Sequence, residues 1–351
     1  MKLVSAAKRG LILALAGLVA ATGAPPVFAK PKPPPIVYAP PPPPPMPDVS
    51  LSSRFITAAG AYDSYMREAA AISPAFGDAD NVGASLRTGV AYEPAQLRVG
   101  MVAYGAIAAL TDQAFVTDVR RAGATPEARY AIVAKIFADP RNVFAFADAR
   151  RAAGLAKAAL AAQGMRLFNG GNAVKQAAYT IQHQPWSLAD VPDRDARAAA
   201  VKRLSDSQRP SSGSETAALD LMIGGELPAG ANLDPAAPPD SGLVDRAVAM
   251  AALAAIGRAG DEDAPHLGWL TDDYFLDHCL AEAKLALYEC LAVAKPNYED
   301  VFCLGQHAMK DTGACVVVGA GSTVPIEIVP ADLKIPPAHV HAAVRRKRRS
   351  S

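Results

Sequence analysis

The chain has 351 residues, of which 35 are basic, 34 are acidic and four are cysteine. This near balance of charge excludes a strongly basic, nucleic-acid-binding protein. The length is enough for one large domain or two modest domains with hydrophobic cores. Hydrophobic residues make up 51% of the chain and aromatic residues only 6%, and much of the apolar content is alanine. Alanine is the best helix former, so the composition favours a mostly α fold.

The first residues are typical of a secretory signal peptide. Lys2, Lys8 and Arg9 precede an apolar run at residues 11–21, which is too short to span a bilayer of about 30 Å. Positions 27 and 29 carry the small residues that a signal peptidase recognises, so we expect cleavage after Ala29. The mature protein is then expected to be periplasmic or secreted. A membrane anchor is the alternative. After signal removal, no later apolar run is long enough to predict a transmembrane segment.

Residues 30–48 form a proline-rich leader, with six consecutive prolines from Pro40 to Pro45. Proline fixes φ and donates no backbone hydrogen bond, so this segment is not expected to join a helix or a central strand. As a disordered or polyproline II segment, residues 30–47 would span about 55 Å. The leader is a stiff spacer in one interpretation, and a ligand for an aromatic-lined groove or a tether across peptidoglycan in another.

A helical domain is predicted at residues 49–204, where apolar residues recur at three- and four-residue spacing. Pro94 and Asp112 are typical of helix starts, as a first-turn proline and an N-cap. Gly170 and Gly171 favour a helix end. The predicted helices cover about 51–72, 94–108, 112–123, 125–137, 140–169 and 172–183.

Residues 205–242 are rich in Ser, Pro, Gly and Asp and form a predicted loop or linker around one short helix at about 215–223. A second helical domain is predicted at 243–330, with helices at about 241–257 and 272–294. Residues 316–318 and 324–329 are rich in β-branched residues around a glycine-rich turn. They favour one short β-hairpin near the C terminus.

Cys279, Cys290, Cys303 and Cys315 all lie in this second domain, and an even number of cysteines in an exported chain favours disulfides. The first two are eleven residues apart on one predicted helix, roughly 16 Å, so they face the same side without pairing. Pro296 ends that helix midway between the remaining candidate partners. An antiparallel helical hairpin that turns there predicts Cys290–Cys303 nested inside Cys279–Cys315. A zinc site made by all four is the alternative, although it lacks close pairs such as C-x2-C.

Residues 331–351 form a predicted disordered tail with five consecutive basic residues. In an exported protein such residues favour anionic lipid or lipopolysaccharide phosphates as partners, whereas a tail that only aids solubility is the alternative. Without these five and the three basic residues of the signal, 27 basic and 34 acidic residues remain. The body is therefore acidic, and nucleic acid is not expected as a partner. The five are Arg345, Arg346, Lys347, Arg348 and Arg349.

The cysteine layout resembles the twin-cysteine helical hairpins, in which two helices each carry a cysteine pair about three turns apart. Ten residues intervene in the first pair here and eleven in the second, in place of the usual nine. This resemblance is confined to residues 279–315 and implies a fold element and no activity. The alanine-rich helices, the proline-rich leader and the segment at 290–307 resemble a family of signal-bearing envelope proteins of alphaproteobacteria with no known activity.

The sequence contains no nucleophile elbow, zinc-protease motif, Walker A loop or dinucleotide fingerprint, and no cofactor or metal is expected. The strongest polar cluster joins Asp273, Asp277 and His278 to His307 across the predicted hairpin. A histidine beside an aspartate on disulfide-tied helices resembles secreted phospholipases. In those enzymes, however, the two residues occur in the order opposite to Asp277-His278, and a glycine-rich calcium loop precedes them. This sequence has no such loop before Asp277. Residues 175–186 carry a polar and aromatic stripe, either a solvated helix face or part of a ligand groove.

These features predict a non-catalytic periplasmic or envelope protein with a structural or interaction role, whose partner is an unidentified envelope component. The alternative is a small periplasmic hydrolase or ligand-binding protein that uses the region of Asp277, His278 and His307. A deep pocket that holds one of the histidines against an aspartate would favour the enzyme.

Overall fold

The structure, a computed structural model, describes residues 45–225, 235–236 and 241–325. The predicted signal peptide, nearly all of the proline-rich leader and the predicted basic tail lie outside these residues. The described residues form α-helices and no β-strand, which confirms the mostly α prediction. The helices are α1 Ser53–Ala70, α2 Ala79–Val90, α3 Pro94–Leu110, α4 Gln113–Ala122, α5 Pro126–Ala138, α6 Ala149–Ile181, α7 Arg194–Ser205, α8 Gly213–Ile223, α9 Gly242–Ala255, α10 Tyr274–Val293, α11 Asn297–Cys303 and α12 Thr312–Gly319.

Shorter elements join some of these helices. A π-helical segment, Leu304–Asp311, runs between α11 and α12 without a break, so residues 297–319 form one continuous last helix. Short 3-10 helices occur at Pro140–Ala145, Ala264–His266 and Gly268–Thr271.

Helix starts follow the local chemistry of the sequence. The Asp112 carboxylate accepts hydrogen bonds from the backbone N–H groups of Ala114 and Phe115, at 3.1 and 3.2 Å, and so begins α4. Pro94 is the first residue of α3, where its missing N–H has no helical partner to lose. Both starts agree with the predictions from the sequence.

The 33-residue helix α6 lies at the centre of the helix packing. It contacts α1, α3 and α9 and also the whole last helix, from α11 through the π segment to α12. The predicted helix end at Gly170 and Gly171 is wrong, because α6 continues through both residues to Ile181. These glycines lie at close helix contacts and do not form a cap.

Glycines let the backbones of α6 and the last helix touch. A Cβ atom added at Gly171 would lie 2.4 Å from the Lys310 backbone nitrogen, and one added at Gly305 would lie 2.4 Å from the Lys175 backbone nitrogen. At a second contact, a Cβ at Gly164 would lie 3.0 Å from a backbone carbonyl of α12. The two helices therefore approach more closely than side chains at these positions would allow.

Helix α9 joins the two predicted helical domains. It follows the predicted linker at 205–242, and its residues from Ala247 to Ala255 are fully buried. It contacts α3, α4 and α6, all of which precede the linker. The described helices on both sides of residues 205–242 thus share one hydrophobic core.

Helix α10 and the last helix form the predicted disulfide-tied hairpin. Cys279 is joined to Cys315, the outer bridge, and Cys290 to Cys303, the inner bridge, each with a Cα–Cα distance of 5.7 Å. This is the nested arrangement expected from the sequence. The predicted strand at residues 316–318 is wrong: these valines lie in α12, where two of them are buried against α6.

Among the described residues, no single helix combines the length and apolar character needed to cross a membrane. Helices α3 and α4 meet that requirement only when taken together, and they bend by 89° at their junction.

Candidate functional site

Two of the three predicted site residues, His278 and His307, are held in separate local pairs. His278 Nε2 lies 3.9 Å from Glu282 Oε1, one turn along α10, and 63% of the His278 side chain is exposed. His307 Nδ1 lies 2.8 Å from Asp311 Oδ2 within the π segment. Each histidine therefore has an acidic neighbour on its own helix.

The register of the hairpin keeps these two histidines apart. The outer and inner bridges fix α10 against the last helix in antiparallel order, which places His307 opposite about residue 287. That position is nine residues from His278, or roughly 13 Å along a helix. The structure therefore does not bring the predicted cluster together as one site.

Asp277, the third predicted residue, orients an arginine. Its Oδ1 accepts a hydrogen bond from Arg98 Nε at 2.6 Å, while Arg98 Nη1 donates to Asp272 Oδ1 at 3.0 Å and to the Thr271 carbonyl. Arg98 is the one charged residue of α3 and is 9% exposed. It is missing from the residues predicted from the sequence, although a single charge in an apolar helix is a signal of a paired, buried group.

Arg98 lines a cavity of about 750 Å³, which we call the polar cavity. Its walls are the first turns of α1 and α3, the 3-10 turn Gly268–Thr271 and the loop after α7. Two basic residues, Arg54 and Arg98, and two acidic residues, Glu93 and Asp272, line it. The charges on the walls therefore balance.

Not every polar group on these walls is available to a ligand. Both oxygens of Glu93 cap α3, because they accept from the backbone N–H groups of Ala95 and Gln96 at 2.9 and 2.7 Å. Gln96 exchanges two hydrogen bonds of 2.7 Å with the backbone of Arg209. These side chains shape the polar cavity and hold α3 against the loop after α7.

A second, more apolar groove of about 330 Å³ lies beside the inner bridge. Tyr179 on α6 and Phe302 on α11 line it, with their ring centroids 6.0 Å apart. Val293 at the end of α10 is 75% exposed at its edge. Part of the stripe predicted at residues 175–186 therefore borders this groove.

A buried lysine lies between α10, α7 and the end of α2. Lys284 Nζ donates to the Val90 carbonyl at 2.8 Å and to Ser205 Oγ at 2.9 Å, and lies 3.5 Å from the centre of the Tyr92 ring. Tyr92 in turn shares a hydrogen bond of 2.7 Å with Thr312 of the last helix. This network joins the hairpin to the first half of the chain.

Burial lowers the pKa of the Lys284 amine well below its usual range, although Asp206 and Glu93 act in the opposite direction. At any pH between this lowered pKa and about 10.4, the Lys284 amine binds a proton more fully in the unfolded chain than in the folded chain. Its contribution to the free energy of unfolding therefore rises with pH across that window. Burial raises the pKa of Tyr65 and Tyr92, so stability falls again above about pH 10, where unfolded tyrosines ionise.

We expect Lys284→Met to remove much of the rise in unfolding free energy as the pH increases toward about 9.5, which is at most about 1.4 kcal/mol per pH unit for one group. Urea titrations at several pH values measure this slope. Lys157→Met, at a half-exposed position, is the control and should keep the wild-type slope. Equal slopes in Lys284→Met and wild type would contradict the prediction.

The chain matches no protein-family model, no curated protein and no solved structure. The two disulfides are therefore the clearest indication of its surroundings. Disulfides form and persist in oxidising compartments outside the cytoplasm, so the bridged hairpin indicates an extracytoplasmic protein.

Proposed function

We propose that this chain is an exported, non-catalytic protein of the bacterial envelope that binds other envelope components. The observation that carries this proposal is the pair of nested disulfides, which ties the hairpin together and is typical of an oxidising compartment. The signal-like start of the sequence supports export to the periplasm. The resemblance to envelope proteins of alphaproteobacteria points to the same place.

The placement of the acid–base candidates supports a binding role over a hydrolase. His278 is paired locally with Glu282, and His307 with Asp311, and the hairpin register separates the two pairs. Asp277 holds Arg98. A hydrolase would need a nucleophile or an activated water within hydrogen-bonding reach of such a base.

The basic tail is the proposed contact with anionic surfaces such as lipid headgroups or lipopolysaccharide phosphates. Deleting residues 345–349 should weaken binding to vesicles that contain phosphatidylglycerol, in a low-salt cosedimentation assay. Each basic residue near such a surface contributes about 1 kcal/mol, less as salt increases, so the expected loss is on the order of a hundredfold or more.

A tail with lysine at all five positions is the matched control, because it keeps the charge and should keep the binding. Circular dichroism should show that the helical body is unchanged in both variants. Equal vesicle binding by the deletion variant and the wild type would mean that the tail only aids solubility.

A further inference from the structure

We propose that the polar cavity binds a neutral oligosaccharide. The proposal names a ligand class for the envelope-binding role proposed above, but it involves a different part of the molecule from the basic tail. It rests on the hydrogen-bonding groups, the charge balance and the aromatic wall of the cavity.

Several polar groups on the cavity walls have no hydrogen-bond partner among the described residues. Arg98 Nη2 is a free donor on a guanidinium whose other two nitrogens are fixed, and Asp272 Oδ2 is a free acceptor. The Thr57 hydroxyl and the Gln208 amide also line the cavity and are exposed. A sugar hydroxyl both donates and accepts, so it needs such a mixture of donors and acceptors.

The charges on the walls disfavour an anionic ligand. Arg54 and Arg98 are offset by Glu93 and Asp272 within the cavity. Arg98 is also unable to bind a carboxylate in the usual bidentate way, because each edge of its guanidinium includes a nitrogen that already donates to Asp277, Asp272 or the Thr271 carbonyl. Only the Nη2 nitrogen of this rigid arginine is left to donate, and a single nitrogen suits a hydroxyl group better than the paired oxygens of a carboxylate.

Trp269 provides an aromatic surface at the cavity wall. It is half-buried, and its ring is held by an edge contact with Phe137, with the ring centroids 5.5 Å apart. The electron-rich face of an indole ring favours the polarised C–H groups on one face of a sugar ring. The cavity volume of about 750 Å³ is within the usual range of roughly 300–1,000 Å³ for small-molecule sites.

Isothermal titration of the disulfide-bonded protein with chitotriose and with maltotriose tests this proposal. We expect saturable binding of at least one of these neutral trisaccharides. Gln208→Ala removes an exposed amide that has no hydrogen-bond partner among the described residues, so it should weaken binding about tenfold, the effect of one lost hydrogen bond, at unchanged stability. Trp269→Leu should weaken it at least as much. Gln176→Ala, an exposed glutamine on α6 outside the cavity, should bind like wild type.

The chitotriose and maltotriose arms distinguish two sources of the same chemistry. Preference for chitotriose, with retention on isolated peptidoglycan, would identify a cell-wall glycan, whereas preference for maltotriose would identify a free sugar. Binding of neither trisaccharide overturns the proposal. Trisaccharide binding that is unchanged in both Gln208→Ala and Trp269→Leu would also overturn it. Binding of inorganic phosphate or a dipeptide at this cavity, in place of the sugars, would overturn it as well. Deleting residues 345–349 should not affect trisaccharide binding, so this result is independent of the vesicle experiment.

Discussion

Replacing both cysteines of the outer bridge, as Cys279→Ala with Cys315→Ala, is expected to lower the free energy of unfolding by about 3 kcal/mol. The bridge joins residues 36 apart, and it restricts the unfolded chain more than the folded one. The inner bridge already shortens the effective loop, which keeps the expected loss below that of an isolated loop of this length. Alanine is the suitable replacement, because Cys315 is 3% exposed and a serine hydroxyl would be buried there.

The effect should extend beyond the hairpin. The last helix contacts α6 from α11 to α12, so a weaker hairpin also weakens the packing of the central helix. Urea unfolding followed by far-ultraviolet circular dichroism should therefore show a lower midpoint for the whole helical signal. Cys290→Ala with Cys303→Ala is the matched comparison, and the wild type in reducing agent combines both losses. An unchanged midpoint in the outer-bridge variant would show that helix packing alone fixes the hairpin.

Gly171→Ala is expected to cost about 3 kcal/mol or more, at the upper end of what overpacking usually costs. Its Cβ would lie 2.4 Å from the Lys310 backbone nitrogen and 2.7 Å from the Gly305 carbonyl oxygen. Both are backbone atoms, so the clash is relieved only if α6 and the last helix move apart. Thermal or urea unfolding measures the loss.

Gly83→Ala in α2 is the control for this substitution. A Cβ there would meet only the end of the Arg87 side chain, at 3.6 Å, which is an ordinary contact. Alanine is the better helix former by roughly 0.5–1 kcal/mol, so Gly83→Ala should stabilise the protein. A Gly171→Ala variant as stable as wild type would contradict the close packing of the two helices.

Local signals in the sequence predicted many helix starts and the disulfide pairing. Pro94 and Asp112 act through their own backbone and side-chain chemistry, so their role does not depend on distant residues. The cysteine pairing followed from helix geometry and from the break at Pro296. Helices α2 and α7 are not predicted from the sequence, because each has few apolar positions. Tertiary contacts, which the sequence does not show, determine which face of each helix is buried.

Features set by tertiary contacts were predicted poorly. Gly171 looked like a helix end, since the sequence does not reveal that another backbone passes at that point. The valines at 316–318 favoured a strand by propensity, but burial against α6 places them in a helix. The polar cavity joins side chains that are far apart in the chain, such as Thr57, Gln208 and Trp269, and no local motif indicates it.

The π segment explains why the two cysteine pairs have different spacings. Eleven steps of about 100° along α10 return Cys290 to within about 20° of the direction of Cys279. On a regular α-helix, the twelve steps from Cys303 to Cys315 would leave the second pair about 120° apart, too far round to meet both partners. The wider turn at Leu304–Asp311 takes up the additional residue and restores the common direction. The hairpin therefore tolerates a one-residue difference in length between its arms, and deleting one residue from this segment should yield a regular α-helix with both bridges still formed.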